Sequence, residues 1–300
     1  PDAGAKAIYH RFASNKMRWS DDLSGPFTAL IINKKNGRLT CATDLMLYVP
    51  VYRQRRPMRL VLGTHVDAVA KAAGQTGKVD KVSFADFALN GSVTHPHTMY
   101  DNIEQMEPAS VYTFEQGTER KDCYWAPEYA MVHQNIDEAA DDLREQLEEY
   151  LRRATDGMQN IAQFLSGGED SRLLAGLLPE DKLNDAYIVL ESHNKEEKIA
   201  RQVADAYDID LKTIVRSESH YLNAMPGAAK LVGSGHQFTG CHYYDAIDRT
   251  EMRAYDGVFG GFLADVFLKA FIARTKHSEV NARVLKNEAN IDVKAFNGMS

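Results

Sequence analysis

The sequence predicts an α/β protein whose first part carries antiparallel strands and whose second part carries a parallel sheet covered by helices. Two observations lead to this prediction. Apolar runs flank the Asn-Gly turn in residues 33–37 (NKKNG), which is typical of a β-hairpin. From residue 161 onwards, short apolar runs alternate with helical patterns, as they do in βα units. A chain of 300 residues is long enough for about two domains.

The composition is that of an ordinary soluble globular protein, with 44% apolar and 26% charged residues. No apolar run approaches the roughly 18 residues of a membrane span, and the N-terminus lacks a signal-peptide pattern. A net charge of −7 argues against a general nucleic-acid-binding surface. We therefore expect no membrane partner and no nucleic-acid partner.

The three cysteines, Cys41, Cys123 and Cys241, are far apart and include no CxxC pair. This usage indicates neither a zinc ribbon nor a dithiol redox site, and a reducing, cytoplasmic location is expected. Cys241 lies between His236 and His242, but their spacing matches no familiar metal site, so structural roles are favoured.

The elements of the first part follow from short patterns. Ala5–Phe12 predicts a helix, and the Asn-Gly turn joins a strand over Phe27–Ile32 to a strand over Arg38–Thr43. Asn36 and Gly37 are expected to supply the positive φ angles of a tight hairpin. Further predictions are strands over Met46–Tyr52 and Met58–Gly63, a solvated turn over 53–57 (RQRRP), and a capping box over 64–67 before a helix over Val66–Ala73.

The second part begins with a long amphipathic helix over Ile136–Met158, whose apolar face is predicted to be core. The alternation then predicts a strand from Ile161, a helix from Leu173, a strand over Asp185–Leu190, a helix over Lys195–Tyr207, a strand over Leu211–Val215 and a buried strand over Arg253–Phe259. Parallel sheets of this kind bind ligands beyond the carboxyl ends of their strands.

Residues 166–171 (SGGEDS) lie at one such carboxyl end, between an apolar run and a helix. The two glycines are expected to let the backbone approach a ligand and to take positive φ. The first N–H groups of the next helix have no partner inside that helix and bind anions, and the two serines add hydroxyl donors. Asp170 does not suit a bare phosphate, which indicates that Mg²⁺ accompanies the ligand.

This segment resembles the pyrophosphate-binding loop, SGGxDS, of the N-type ATP pyrophosphatases, which cleave ATP to AMP and pyrophosphate while activating a substrate. Residues 23–52 resemble the later strands of a class II glutamine amidotransferase domain, with Asp44 and Pro50–Tyr52 at a "D…PLY" pattern. Residues 97–110 resemble the end of that domain, and residues 124–127 (YWAP) resemble the domain junction. Glutamine-hydrolysing asparagine synthetases carry the two domains in this order.

The resemblance implies a fold class and a division into domains. Residues 1–129 would form a partial Ntn-type antiparallel β-sandwich, an amidotransferase-like domain without the nucleophile cysteine. Residues 130–300 would form a parallel-sheet ATP pyrophosphatase domain of the adenine nucleotide alpha hydrolase-like kind.

The resemblance also implies the site residues. Asp170 and Asp265 would be the catalytic carboxylates and would hold Mg²⁺, and Glu196 matches an acidic family position. The residues expected to bind ATP fall into three groups. Those around the turn are Leu165, Ser166, Gly167, Gly168, Asp170 and Ser171. Val189 and Leu190 would lie beside the adenine, and the backbone of Gly261 would approach the ligand closely.

Some positions depart from the family pattern. The amidotransferase reaction needs an N-terminal cysteine, whereas this chain starts at Pro1, so glutaminase activity is not expected of the chain as given. Phe262 and Val266 stand where the family has glutamates, the first of which assists amide formation. No lysine beyond residue 268 matches the family's late lysine.

The main functional hypothesis is an asparagine-synthetase-like ligase that uses ATP and Mg²⁺ to adenylate a small-molecule or peptide carboxylate. The nitrogen nucleophile would be ammonia, glutamine-derived nitrogen or an intramolecular amine. The alternative is a catalytically degenerate homologue that binds a nucleotide or serves as a scaffold. A tRNA-modifying sulfur-transfer enzyme is disfavoured by the absence of paired cysteines and by the acidic charge. The sequence leaves open whether the protein forms a homodimer.

Overall fold

The computed structural model describes residues 3–23, 25–56, 59–128, 132–236 and 241–261. These residues form two compact units. The first contains the described residues up to 128 together with 229–236, and the second contains 132–228 and 241–261. The domain boundary predicted between residues 129 and 130 remains a prediction.

The first unit is built from antiparallel sheets and helices. Its described elements are α1 (Ala3–Ala13), β1 (Thr28–Asn33), β2 (Arg38–Thr43), β3 (Tyr52–Arg56), β4 (Arg59–Gly63), α2 (Val66–Ala73), α3 (Lys81–Asn90), β5 (Glu104–Gln105), β6 (Ser110–Glu115) and β7 (Thr118–Cys123). One sheet has the order β1-β2-β6-β7 and the other has the order β4-β3-β5. Every paired strand in these two sheets is antiparallel to its neighbour, as predicted for this part of the chain.

An apolar core joins the two sheets of the first unit. Its buried members are Cys41, Val51, Met106, Tyr112 and Phe114. The partly buried Leu39, Leu60 and Leu62 pack against them. A second cluster places the buried face of α2, including Val66 and Val69, against Tyr52 and Ile103. Along β6, buried and half-buried residues alternate, as expected for a strand that turns one face to the core.

The strand predicted over Met46–Tyr52 is wrong, since β3 begins only at Tyr52. The buried Asp44 carboxylate accepts hydrogen bonds of 2.9–3.1 Å from three backbone N–H groups, those of Met46, Tyr48 and Val49. These bonds satisfy donors that a strand would have used and fold the segment into turns.

The arginine-rich segment predicted as a solvated turn belongs largely to β3. Arg53 forms ion pairs with Glu104 and with Glu119, and Glu104 lies in the neighbouring strand β5. Pairing with two carboxylates explains why this arginine is only one-fifth exposed.

Three smaller features of the first unit also differ from prediction. The capping box does not form, because His65 is the N-cap of α2 and makes no side-chain cap bond. Of the Asn-Gly pair in the hairpin, Gly37 has a positive φ of 73° and Asn36 does not. Helix α3 lies where no helix is predicted, and the Asp80 carboxylate caps its start.

The second unit contains the predicted parallel sheet. Its elements are α4 (Ile136–Ala154), β8 (Ile161–Phe164), α5 (Glu169–Leu177), β9 (Leu183–Leu190), α6 (Lys195–Ala206), β10 (Asp210–Val215), α7 (His220–Val232, whose last turn belongs to the first unit), α8 (Ala246–Arg249), a 3-10 turn (Met252–Ala254) and β11 (Gly257–Phe259). The strand order is β10-β9-β8-β11, and each neighbouring pair is parallel. The parallel α/β fold class is therefore confirmed.

Apolar clusters cover both faces of this sheet. Ile161 points into a cluster with residues of α4, α5 and α6, whereas its neighbour Ala162 joins a cluster with Tyr187, Ala246 and Met252. Successive strand residues face opposite sides, so β8 contributes to both clusters. The central strand is completely buried over residues 161–163, which fits its nearly continuous apolar sequence.

Two predictions for helices and strands of the second unit are wrong in part. The apolar face of α4 is not core over most of its length, because Ile136 is 82% exposed and Tyr150 is 49% exposed, while Leu151 is buried. The helix ends at Ala154, before the predicted Met158. The strand predicted from Arg253 is reduced to three residues, and Val258 in it is 37% exposed.

Within the described ranges, none of the helices combines the length and the apolar character that crossing a membrane requires.

The central position of β8 gives a stability prediction. Ile161→Ala should lower the free energy of unfolding by about 2–5 kcal/mol, because it opens a cavity in a fully buried strand. The matched control is Ile136→Ala at the exposed start of α4, for which less than about 0.5 kcal/mol is expected. Urea denaturation followed by circular dichroism measures both, and equal effects would contradict the assignment of β8 as the core strand.

Candidate functional site at the carboxyl edge of the parallel sheet

The SGGEDS segment connects β8 to α5 at the carboxyl edge of the parallel sheet. The backbone N–H of Leu165 donates to the Tyr187 carbonyl at 2.9 Å, so pairing with β9 continues into the turn. Phe164 is in register with Tyr187, and β9 runs three residues further, to Leu190. Val189 and Leu190 therefore lie beside the turn, where the sequence places them.

The two serines of the turn bond to each other. Their hydroxyl oxygens are 3.0 Å apart, and the Ser171 hydroxyl also accepts from the backbone N–H of Ser166 at 3.1 Å. The same hydroxyl lies 3.0 Å from the Ser166 carbonyl and 3.1 Å from the Gly168 carbonyl. The Ser166 hydroxyl accepts from the Gly168 N–H at 3.1 Å. Ser171 is buried, so its main part is to fix the shape of the turn.

The glycines are required for close packing and not for a positive φ, which corrects the prediction. Gly168 is the N-cap of α5 in extended conformation, and neither it nor Gly167 has a positive φ. A Cβ at Gly167 would lie 3.2 Å from the Glu196 Cγ and 3.3 Å from the Glu196 carbonyl oxygen. The absence of a side chain at this position therefore lets the start of α6 approach the turn.

Asp170 lies in the first turn of α5, close to the end of β11. A Cβ at Gly261 would be 3.1 Å from the Cβ of Asp170 and 3.4 Å from its carbonyl carbon, so Gly261 lies directly against the first turn of α5. The structure thus brings together two of the predicted residues from different strand ends. A carboxylate oxygen is a ligand type that Mg²⁺ prefers, so Asp170 fits the implied metal. Asp265, together with Phe262 and Val266, lies outside the described residues.

Glu196 is exposed at the start of α6, next to the turn, whereas its neighbour Glu197 is buried. Glu197 accepts hydrogen bonds from His193 at 2.5 Å, Thr213 at 2.8 Å and Arg201 at 3.1 Å. The hydrogen bonds from His193 and Thr213 lower the pKa of Glu197 to about 2. These contacts fix the first turn of α6 and so hold Glu196 against Gly167.

A polar cluster that the sequence does not predict lies at the end of β10. Arg216 directly follows this strand, and its guanidinium donates to the Tyr221 hydroxyl at 2.7 Å and to the His242 ring at 3.0 Å. The neighbouring Tyr243 ring packs on Phe164, with ring centroids 4.3 Å apart. A polar residue immediately after a predicted parallel strand is the signal that could have found Arg216.

The histidines weighed as a metal site contact other groups. His236 belongs to the first unit, where its Nε2 lies 3.0 Å from the Tyr52 hydroxyl. His242 lies in the second unit beside Arg216. Across the described ranges, no group of three or more histidine, cysteine, aspartate or glutamate residues is arranged to hold a metal ion.

Cys41 is completely buried in β2, and burial raises the pKa of its thiol to about 11. A thiol with such a pKa is not ionised near neutral pH and is not a nucleophile.

Two known families match separate parts of the chain. Residues 5–125 match the family described as "Glutamine amidotransferase domain", and residues 142–242 match the family described as "Asparagine synthase". The second match contains the SGGEDS turn and all of β8, β9 and β10. These matches support an asparagine synthetase-family protein with an N-terminal glutamine amidotransferase-like domain.

A curated relative is "Asparagine synthetase [glutamine-hydrolyzing] 3" of Bacillus subtilis (strain 168), which is 22% identical over 173 residues. The match covers 57% of this chain and 28% of the relative, so the chain spans little more than a quarter of that relative's length.

Two solved structures are similar over part of the fold. An NH3-dependent NAD synthetase from Campylobacter jejuni, in complex with nitrate, is 16% identical, with a TM-score of 0.30 over 43% of this chain and 59% of that chain. A glutamine-dependent NAD+ synthetase from Acinetobacter baumannii, in complex with ADP, is 10% identical, with a TM-score of 0.28 over 86% of this chain and 63% of that chain. Scores of this size carry no argument about the present chain.

The hydroxyl of Ser171 provides a test of how the turn is held. Ser171→Ala should lower the free energy of unfolding by about 1–3 kcal/mol, because the partly buried N–H and carbonyl of Ser166 lose their hydrogen-bond partner. Ser217→Ala, at an exposed position in the same unit, is the matched control and should change it by less than about 0.5 kcal/mol. Thermal and urea denaturation measure the difference, and a neutral Ser171→Ala would show that the turn does not depend on this hydroxyl.

The lowered pKa of Glu197 predicts a pH dependence of stability. A carboxyl with a pKa of about 2 in the folded chain, against an ordinary value of 4.5, stabilises fully above about pH 4.5 and loses this contribution as the pH falls towards 2. Glu197→Gln should therefore destabilise the chain most at pH 7, and its difference from the unmodified chain should shrink between pH 4.5 and pH 3.

Urea denaturation at pH 7, 4 and 3 measures this trend. Glu145→Gln, at an exposed position of α4, is the control without a pH-dependent difference. A Glu197→Gln effect that stays constant from pH 7 to pH 3 would contradict the described hydrogen bonds.

Proposed function

We propose that this chain is an ATP-dependent amide ligase. It would adenylate a substrate carboxylate, release pyrophosphate, and transfer the acyl group from AMP to a nitrogen nucleophile. The observation that carries the proposal is the SGGEDS turn between β8 and α5, at the carboxyl edge of a parallel sheet, with its serines and glycines packed into one fixed shape. The match of residues 142–242 to the asparagine synthase family and the similarity to a glutamine-hydrolysing asparagine synthetase support the same reaction class.

The turn would bind the pyrophosphate part of ATP. The amino-terminal end of α5 presents the positive pole of its helix dipole to the turn, and the half-buried Ser166 hydroxyl accepts a hydrogen bond from the Gly168 N–H at that end. Gly167 lets the start of α6 approach the turn, and Gly168 places no side chain against the Ser166 hydroxyl. The adenine would lie near Val189 and Leu190, since β9 continues past the turn on that side.

In the first step an oxygen of the substrate carboxylate would form a bond to the α-phosphorus of ATP, and the bond from that phosphorus to the β-phosphate bridging oxygen would break. The products are an acyl-adenylate and pyrophosphate. Negative charge grows on the leaving pyrophosphate, so donors already fixed around it lower the barrier. The bonds that hold Ser166 and Ser171 in place mean that little reorganisation is needed when charge develops.

Mg²⁺ would be held by Asp170 and Asp265, and when bound it would neutralise charge on the phosphates. In the second step a nitrogen nucleophile would attack the acyl carbon, and AMP would leave with the bonding electron pair. Ammonia, nitrogen released from glutamine and an amine in the substrate all satisfy this chemistry. The buried Cys41 thiol would take no part.

A second candidate is a homologue that binds a nucleotide without catalysis. The observation that favours it is in the sequence, where Phe262 and Val266 replace family glutamates. The complete set of Ser166, Asp170 and Ser171 favours the ligase instead.

Release of pyrophosphate from ATP tests the ligase. The full chain would be incubated with ATP, Mg²⁺, ammonium and a panel of amino-acid and short-peptide carboxylates. Asp170→Asn should reduce the rate at least about 100-fold, since it removes a carboxylate ligand of the Mg²⁺ that would neutralise charge on the phosphates. Glu169→Gln, at the variable position of the turn, is the matched control and should keep most of the activity.

Calorimetric titration with MgATP separates the two candidates. A chain that binds MgATP but releases no pyrophosphate with any carboxylate would be the non-catalytic homologue. Pyrophosphate release that Asp170→Asn leaves unchanged would rule out the ligase mechanism, and absence of MgATP binding would rule out both.

A further inference from the structure

The cluster of Arg216, Tyr221 and His242 at the end of β10 has a defined hydrogen-bond direction. A guanidinium has only donors, so the contact of 3.0 Å from Arg216 to the Nδ1 of His242 requires Nδ1 to accept. The Tyr221 hydroxyl accepts from Arg216 at 2.7 Å and lies 2.6 Å from the same Nδ1, to which it donates. Both contacts fix the ring proton of His242 on Nε2.

Two properties keep His242 in this form. Burial and the charge of Arg216 lower the pKa of its imidazole, so the ring is neutral near pH 7. Arg216 itself is held in place, because its side chain is only 12% exposed, packs 5.4 Å from the centre of the Tyr221 ring and pairs with Glu191. His242 is therefore a neutral hydrogen-bond donor with one fixed tautomer.

Ring contacts connect His242 to the end of β8, which leads into the SGGEDS turn. The His242 ring centroid is 6.4 Å from that of Tyr243, which in turn packs on Phe164, two residues before the turn. Tyr243 is close enough to Arg216 and Glu196 for both charges to act on its pKa, and Glu196 contacts Gly167. These contacts connect the ends of β8 and β10 to the start of α6. His242 is exposed, and within the described part of the chain its hydrogen bonds to protein groups are made through Nδ1.

We propose that His242 donates its Nε2–H to an oxygen of the bound nucleotide, with Arg216 and Tyr221 as the positioning residues that set its tautomer. The acceptor is a phosphate oxygen or a ribose hydroxyl, which offer the same chemistry to an N–H donor. This inference rests on the proposed function only in that the chain binds ATP. It does not require the later transfer to nitrogen.

Calorimetric titration of the full chain with MgATP is the first test. His242→Ala should weaken binding about tenfold, the loss expected for one hydrogen bond to a charged acceptor. His242→Gln, whose amide N–H can reach the position of Nε2, should bind more tightly than His242→Ala. His133→Ala, a histidine that pairs with Asp142 elsewhere in the second unit, is the matched control and should bind as the unmodified chain does.

Titration with adenosine identifies the acceptor. If His242→Ala weakens MgATP binding but not adenosine binding, the acceptor is a phosphate oxygen. If both fall equally, the acceptor is a ribose hydroxyl. Arg216→Gln should also weaken MgATP binding, and the double variant should be no weaker than His242→Ala alone, because the two residues act as a unit.

Nitrogen-15 NMR of histidine-labelled protein reads the tautomer directly, with the His242 signals assigned by their loss in His242→Gln. A proton on Nε2 is expected in the unmodified chain, and Arg216→Gln should give a mixture of tautomers. A proton on Nδ1 in the unmodified chain, or MgATP affinity unchanged in His242→Ala, would overturn this inference alone. Absence of MgATP binding in the unmodified chain would overturn the proposed function together with it.

Discussion

The pair of hydroxyl groups in Ser166 and Ser171 is the interaction on which the candidate site depends. It closes the turn between the central strand and the helix that follows, and it does so from inside the turn, with Ser171 buried. Because these hydroxyls bond to the backbone of the turn, the loop has one shape before any ligand arrives. The buried strand β8 anchors one end of this arrangement, and α5 continues from the other.

The neighbouring elements reach the turn through small residues and through fixed carboxylates. Gly261 lets the end of β11 pass Asp170, and Gly167 lets α6 approach the turn. Glu197 contributes indirectly, since it secures the first turn of α6 by several hydrogen bonds. At the carboxyl edge of the parallel sheet, most of these residues therefore act by holding one another in position.

The sequence predicted the parallel sheet and the site turn because both depend on local patterns. A window of about ten residues is enough to show an apolar run of strand length, the glycine-serine segment after it and the order of the two. The loop after Asp44 could not be predicted in this way, because its carboxylate redirects backbone groups that a strand would otherwise use. The exposure of α4 was missed for a different reason: an amphipathic pattern shows which residues share a face and not whether another element covers it. The Arg216–His242 contact joins residues 26 positions apart, which no short pattern reports.

The close approach at Gly167 has an electrostatic consequence. It brings the amino-terminal ends of α5 and α6 to the same turn, so the positive poles of two helix macrodipoles converge there. The first turns of those helices also carry Glu169, Asp170 and Glu196, whose negative charges oppose that attraction. A free polyphosphate would be attracted by the helix ends and repelled by the carboxylates. A divalent cation bound to the polyphosphate would reduce the repulsion from the carboxylates, while the attraction to the helix ends would remain. The close approach of the two helix starts at Gly167 therefore favours binding of a metal-complexed polyphosphate over binding of the bare anion.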